Sequence, residues 1–293
     1  MNYTEVVDLF RQHLTSLYSE QEIRSLIRIW ADHTGEGCYL QLLSEPTFCI
    51  KEYEIKHLQH FVAELKKHKP YQYILGYSDF CSLRFEVNSA TLIPRPETEE
   101  LVYWILSRYK SNNHPISILD VGTGSGCIAI SLAKQLTNST VYAMDYSREA
   151  LDIAKRNAQK HAVNVLFECA DMRFYESKVK FDIIVSNPPY VRELENKKMK
   201  KNVLLYEPHQ ALFVPNNDSL IYYRALAQIA QENLKSIGGI YAELNEHLSA
   251  EVADLFAPFA KVELRDDFYG KPRMISAYKR EYIYDRSGEN SNA

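Results

Sequence analysis

From Ile116 to Tyr278 short apolar runs alternate with amphipathic stretches, and this alternation restricts the possible folds more than any other feature of the chain. Ile116–Val121, Val141–Met144, Val165–Cys169, Phe181–Val185 and Gly239–Leu244 read as strands, with two more around Val262 and over Met274–Tyr278. Ile128–Leu136, Ser147–His161 and Leu220–Leu234 read as helices. Near-continuous apolar strands separated by helices predict an α/β domain whose mostly parallel sheet is covered on both faces.

The first seventy residues have another texture. Val6, Leu9, Phe10, Leu14 and Leu17 recur at three- and four-residue steps, as do Ile23, Leu26, Ile27 and Trp30, before Gly35. Ile55, Leu58, Phe61, Val62 and Leu65 share one face of a third stretch, Glu52 to Lys67. These predict a small helical bundle. His57 and His60 bring no further metal ligand with them, so they read as surface or partly buried side chains. Gln72 to Asn88 reads as a β-hairpin or short strands bridging two domains. Ile93-Pro94-Arg95-Pro96 then stiffens a loop, and the acids after it suit the start of a helix reaching about Lys110. The expected division is a helical domain at 1–70, a hairpin linker at 71–96, a catalytic domain at 97–281 and a disordered tail at 282–293.

Ile118-Leu119-Asp120-Val121-Gly122-Thr123-Gly124-Ser125-Gly126 joins a strand to a helix through three glycines. Such a turn lets a ligand approach the main chain, and the helix start offers unpaired N–H groups to an anionic group. Alone it suits NAD, FAD and S-adenosylmethionine equally. Asp145 ends the next strand, where an acid can reach both ribose hydroxyls of an adenosine cofactor, and the competing role is helix capping. Asp171 follows the third strand, placed to accept from an adenine amino group or simply to form a turn, with Met172 beside it to pack on the ring.

Ser186-Asn187-Pro188-Pro189-Tyr190 follows the fourth of these strands. A planar NH2 group has a delocalised lone pair and is a poor nucleophile. Two acceptors must hold its N–H bonds and aim the nitrogen at a methyl donor. The Asn187 side-chain oxygen supplies one acceptor and the Pro188 carbonyl the other, its direction fixed by two prolines. Tyr190 offers a flat face for stacking. The competing role is a plain turn.

Composition narrows the partners. Lys and Arg number 34 against 38 Asp and Glu, a formal charge of −4, whereas chains that live on nucleic acid usually carry a basic surplus. The run Lys197, Lys198, Lys200 and Lys201 reads as a solvated segment. Cys38, Cys49, Cys81, Cys127 and Cys169 show no metal or disulfide spacing, which suits reduced thiols in a cytoplasmic protein. No signal peptide and no apolar run of about 20 residues is visible, so no membrane partner is expected.

With these residues in hand, the chain resembles the HemK/PrmC family of release factor glutamine methyltransferases. The similarity runs from Pro70 to Lys279 and includes Thr91 to Glu99, Leu119 to Gly126, Ser186 to Tyr190, Tyr206-Glu207-Pro208 and the Asp267 to Met274 segment. The resemblance implies a class I S-adenosylmethionine-dependent methyltransferase, Rossmann-like with a mostly parallel seven-stranded sheet, plus a small N-terminal helical bundle that helps hold a release factor. It implies methylation of the glutamine side-chain amide in the Gly-Gly-Gln motif of class I release factors, with no metal. On this resemblance Gly122, Thr123, Gly124, Ser125, Gly126, Asp145, Met172 and Asn187 touch the cofactor, while Asn187, Pro188, Pro189 and Tyr190 touch the glutamine. Met172 stands where the family often has an aromatic, and Asn245-Glu246-His247 replaces a shorter Glu-His-Gly type segment. The alternatives are a ribosomal-protein glutamine methyltransferase, an adenine N6-methyltransferase needing base flipping and a cationic channel, and a non-catalytic module that keeps only the fold.

Overall fold

The computed structural model describes residues 1–35, 38–45, 47–112 and 114–280. The tail expected to be disordered lies outside them. The described residues divide into two compact units, Met1–Tyr77 with Met199–Tyr206, and Ser78–Lys198 with 207–280.

In the first unit, helix Tyr3–Leu14 starts at a reciprocal cap. Asn2 accepts from the Glu5 N–H and Glu5 accepts from the Asn2 N–H. Ser19 and Glu22 repeat the device for helix Glu20–Thr34. With helix Glu52–Lys66 they bury Phe10, Leu14, Trp30, Leu58 and Phe61 in one core. His57 is occupied structurally, because its Nδ1 accepts from Trp30 Nε1 at 3.2 Å. Three short helices escape the sequence pattern: Cys38–Ser44, Tyr71–Leu75 and Lys201–Tyr206. One or two turns leave too few residues to show a 3.6-residue period. The second lies where strand was expected, and the hairpin itself is confined to Tyr77–Phe80 and Leu83–Glu86. Cys81 and Ser82 form its turn, both with positive φ (47° and 61°), as a tight two-residue hairpin demands.

The second unit holds the seven strands: β1 (Ile116–Val121), β2 (Ser139–Asp145), β3 (Val165–Cys169), β4 (Phe181–Ser186), β5 (Leu234–Glu243), β6 (Lys261–Asp266) and β7 (Pro272–Tyr278). Their order in the sheet is β6-β7-β5-β4-β1-β2-β3. Only β7 runs against the rest, paired antiparallel with both β5 and β6. Side chains alternate between two cores, as the period of a strand requires. Ile118 points into a core with Leu101, Ile105 and Ile128, and Leu119 into one with Leu226, Ile229 and Phe256. Helices Pro96–Tyr109 and Cys127–Gln135 therefore cover one face, and Ile221–Asn233 and Ser249–Leu255 the other.

Gly239 faces Tyr278 across the β5–β7 pair. A Cβ there would stand 2.5 and 2.6 Å from carbons of the Tyr278 ring, which is buried and held by a 2.8 Å hydrogen bond to the Tyr241 hydroxyl. Gly239→Ala should therefore lower stability by about 1–3 kcal/mol through overpacking, read as a lower urea midpoint at unchanged slope.

Candidate active site

The chain leaves β1 toward β2 and β3 on one side, and returns on the other side through β4 and β5. Ligands in open α/β sheets bind at such a switch point, beyond the strand ends. Val121 pairs with Ser186, so the glycine loop and the Asn-Pro-Pro-Tyr segment begin side by side. The Ser186 hydroxyl donates to the Val121 carbonyl at 2.7 Å and ties the two together. A cavity of about 290 Å³ opens here, close to the lower end of the range for small-molecule sites.

Gly122 and Gly124 have φ of +75° and +55°, and a Cβ on either would meet nothing within 4 Å. The backbone is thus bare toward the cavity, as a ligand lying against it requires. The Gly122 and Thr123 N–H groups both donate to the Met144 carbonyl. The Gly124 N–H donates to Asp145 Oδ2 at 2.8 Å, and the Ser147 N–H to Asp145 Oδ1 at 2.9 Å. Burial holds the Asp145 carboxyl above its usual range despite these donors. Helix capping falls to Ser147, whose hydroxyl accepts from the Ala150 N–H. Gly126 differs from its neighbours: a Cβ there would strike Ile130 at 2.8 Å and Ala154 at 3.1 Å, so it serves helix packing, and it does not line the cavity.

Asp171 and Met172 do line the cavity. The Asp171 carboxylate accepts from the Arg173 backbone at 2.9 Å and pairs with the Arg173 guanidinium, which holds its pKa below the ordinary value. Any further donor must compete with that pair.

Asn187 and Pro189 line the cavity, while Pro188 and Tyr190 do not. Pro188 is buried. The Tyr190 ring, expected to stack on a substrate, packs against the core that contains Leu226 and Phe256. Its hydroxyl donates to Glu243 Oε1 at 2.7 Å, and its carbonyl accepts from Asn245 Nδ2 at 3.1 Å. Asn187 Nδ2 donates to the Thr98 hydroxyl oxygen at 3.0 Å, and that hydroxyl donates to Glu243 Oε2 at 2.7 Å. Asn187 Oδ1 makes no hydrogen bond among the described residues.

Several residues with no role assigned from the sequence support the site. Buried Asn157 donates to the Ser125 carbonyl at 2.9 Å and accepts from the Glu86 N–H at 2.7 Å, pinning the glycine loop to the hairpin. Glu207, also buried, accepts from Arg95 at 2.6 Å and from the Ile93 N–H at 3.3 Å, fixing the proline loop at the cavity rim. An isolated Asn or Glu in sequence gives no sign of such pairing, although Thr98 and Glu207 fall within segments that carry the family resemblance. The closing Asp267–Arg273 segment is a loop held by Arg273 Nε on Asp267 at 3.2 Å. Among the described residues no group of three or more His, Cys, Asp or Glu is placed to hold a metal ion, and no helix is long and apolar enough to cross a membrane.

This strand order, with a glycine loop after β1 and an acid after β2, defines a class I S-adenosylmethionine-dependent methyltransferase. A family model described as Methyltransferase small domain matches residues 104–216. The hMettl16 catalytic domain, solved in complex with the MAT2A 3'UTR hairpin 6, shares the fold with a TM-score of 0.54 at 13% identity, covering 79% of this chain and 83% of that one. A release factor glutamine methyltransferase of Flavobacterium psychrophilum is 45% identical over 271 residues, 91% of this chain and 95% of its own. The enzyme of that name from Bacteroides thetaiotaomicron is 38% identical over 272 residues, 91% and 96% of the two chains. The chain belongs to the release factor glutamine methyltransferase family.

Beneath the glycine loop, Asp120 accepts from the Thr123 hydroxyl at 2.7 Å and the Ala129 N–H at 3.1 Å through Oδ2, while its buried Oδ1 has no partner among the described residues. Burial pushes this carboxyl from 3.8 up to about 7. A raised carboxyl pKa favours the folded state at low pH, and that contribution is lost as pH rises from about 4 to about 7. Asp120→Asn removes this dependence. Urea midpoints of the two proteins should therefore shift in favour of the variant across this window, with a relative slope of at most about 1.4 kcal/mol per pH unit.

Proposed function

We propose that this protein methylates the side-chain amide nitrogen of the glutamine in the Gly-Gly-Gln motif of class I peptide chain release factors. The observation that carries the reading is the Asn187 side chain, whose nitrogen is committed to Thr98 while its oxygen is left for the cavity that it lines. The names of the close relatives support the substrate class.

The cavity suits S-adenosylmethionine. The bare backbone of Gly122 and Gly124 would lie along its amino-acid portion, Asp145 would accept from the ribose hydroxyls, and Met172 would pack on adenine. Asp171 would accept from the adenine amino group in competition with Arg173. When bound, this cofactor supplies a methyl group already made electrophilic by the attached sulfonium.

The protein's own contribution is orientation. Asn187 Oδ1 takes one N–H of the incoming amide. The backbone carbonyl of Pro188, whose ring is buried but which stands between cavity-lining Asn187 and Pro189, takes the other, which turns the nitrogen lone pair toward the methyl donor. Both acceptors also stabilise the positive charge that builds on nitrogen as the new bond forms. The extra proton, which neither amide-type oxygen is basic enough to keep, is then lost to water. No strong base is needed within the cavity. Tyr190, with its hydroxyl on Glu243 and its carbonyl on Asn245, holds the turn that carries both acceptors. The helical unit is assigned to release-factor binding.

Asn187→Ala should lower kcat by about 10²–10³ with cofactor affinity nearly unchanged by calorimetry; wild-type turnover would remove Asn187 from its role. Asp145→Ala should instead weaken cofactor binding roughly tenfold or more through lost charge-assisted hydrogen bonds, seen in the same titration. Incubation with methyl-labelled cofactor and a release factor, a ribosomal protein or DNA tests the substrate. Label on the release factor glutamine is expected, and label confined to the ribosomal protein or DNA refutes the assignment.

A further inference from the structure

We propose that Glu243 is a positioning residue that decides, through Thr98, which end of the Asn187 amide faces the substrate. The inference rests on the role given to Asn187 above.

The two ends of an asparagine amide are nearly equal in size and opposite in chemistry. With the oxygen toward the cavity, Asn187 accepts an N–H from an incoming amide. With the nitrogen there, donor meets donor and the substrate is repelled. Proline-fixed backbone does not choose between these, since both share one rotamer family and differ by a half-turn about a soft torsion.

The choice is made behind the cavity. Glu243 ends β5, and Ala242 pairs with Ser186, so its carboxylate lies beside the start of the Asn-Pro-Pro-Tyr segment. It is 1% exposed and does not line the cavity, so it touches neither cofactor nor substrate. An ionised carboxylate only accepts. It therefore draws the Thr98 hydrogen to Oε2 and the Tyr190 hydrogen to Oε1, each at 2.7 Å. Thr98 has a single hydroxyl hydrogen. Once that is given to Glu243, its oxygen offers only lone pairs to Asn187, 3.0 Å away. Asn187 must then present its nitrogen to Thr98 and its oxygen to the cavity.

The relay works only while Glu243 is an acceptor. A neutral group at that position with its own hydrogen could donate to Thr98, release the Thr98 hydrogen toward Asn187, and reverse the amide. Burial pushes the Glu243 carboxyl upward. Two hydroxyl donors and the positive charge of Arg273 oppose that push. Thr98 also lies in the first turn of helix Pro96–Tyr109, where the helix dipole favours a negative neighbour. The same carboxylate fixes Tyr190, so one buried group locks both ends of the Asn-Pro-Pro-Tyr turn.

The test uses the full-length enzyme with a release factor substrate and four variants: Thr98→Val, Thr98→Ser, Glu243→Gln and the Thr98→Val/Glu243→Gln double. Valine keeps the shape of threonine without its hydroxyl, and glutamine keeps the shape of glutamate while adding a donor. Thr98→Val and Glu243→Gln are each expected to lower kcat by about tenfold to a hundredfold, because only part of the population then holds the productive amide. Calorimetric cofactor affinity is expected to stay within about twofold for Glu243→Gln, which lies outside the cavity, and for Thr98→Val, because the Thr98 hydroxyl, although Thr98 lines the cavity, is engaged with Asn187 and Glu243. Thr98→Ser is expected to restore kcat to within about threefold, because it returns the hydroxyl. The double variant is expected to be no slower than the slower single, as the two act through one relay.

Full turnover in Thr98→Val overturns the proposal, as does a double variant that loses the product of the two single losses. A loss that Thr98→Ser fails to rescue overturns it as well, since packing alone would explain it. If thermal unfolding shows that Glu243→Gln does not fold, the valine and serine variants decide the matter. Asn187→Ala run in parallel separates the two assignments. Should that variant turn over normally, the acceptor role itself fails; should it be inactive while Thr98→Val is fully active, only the relay fails.

Discussion

The site depends on three parallel strands ending side by side. β1, β4 and β5 are neighbours in register, with Val121 opposite Ser186 and Ser186 opposite Ala242. Parallel pairing forces all their carboxyl ends to one edge of the sheet, so the segments that follow start within reach of one another. The glycine loop, Asn187 and Glu243 are separated by long stretches of chain and joined by this geometry alone. A one-residue slip in any of the three would turn the side chains around Asn187 or Glu243 to the opposite face.

Around that edge the protein keeps several carboxylates dry. Asp120 and Glu243 are almost wholly enclosed, Glu207 nearly so, and Asp145 is shielded by the loop it supports. Hydroxyls satisfy Glu243, backbone N–H groups Asp145, and an arginine with a backbone N–H Glu207, whereas Asp120 keeps one oxygen without a partner among the described residues. A buried carboxylate without such partners would destabilise the fold severely. With them it becomes a rigid acceptor that dictates the orientation of whatever donates to it. Asp120, Glu207 and Glu243 stay behind the cavity, whose lining combines apolar groups and bare backbone with the charged side chains of Arg95, Asp145, Asp171 and Arg173.

The chain's alternating pattern made most of this architecture legible. Seven strands were expected and seven form one sheet. The central ones, buried on both faces, carry near-continuous apolar runs that hydrophobicity alone reveals, whereas the edge strands Val165–Cys169 and Lys261–Asp266 are largely exposed. The long helices were equally clear from their stripes. The short helix Tyr71–Leu75 was not, since a single turn lacks a period and its aromatic residues favour strands. At the site, the glycine loop, Asp145, Asp171, Met172, Asn187 and Pro189 all line one cavity. Gly126, Pro188 and Tyr190 stand behind it, because a residue's place in a motif does not say which way its side chain points.

What the sequence determined by itself is therefore the layered α/β plan, the helical unit before it and the two segments that carry the chemistry. These follow from local periodicity, from glycine and proline, and from motif order, all of which are properties of neighbouring residues. Tertiary structure alone decided that Thr98, Asn187, Tyr190 and Glu243 form one hydrogen-bonded group, that Asn157 pins the glycine loop to a distant hairpin, and that Arg95 meets Glu207. Those contacts join residues 53 to 145 positions apart in all but one case. The exception, at 32 positions for the Asn157–Ser125 bond, still relies on the fold to bring the partners into place. A hydrogen bond across such distances has no local signature, because its partners are ordinary polar residues until strand register sets them face to face.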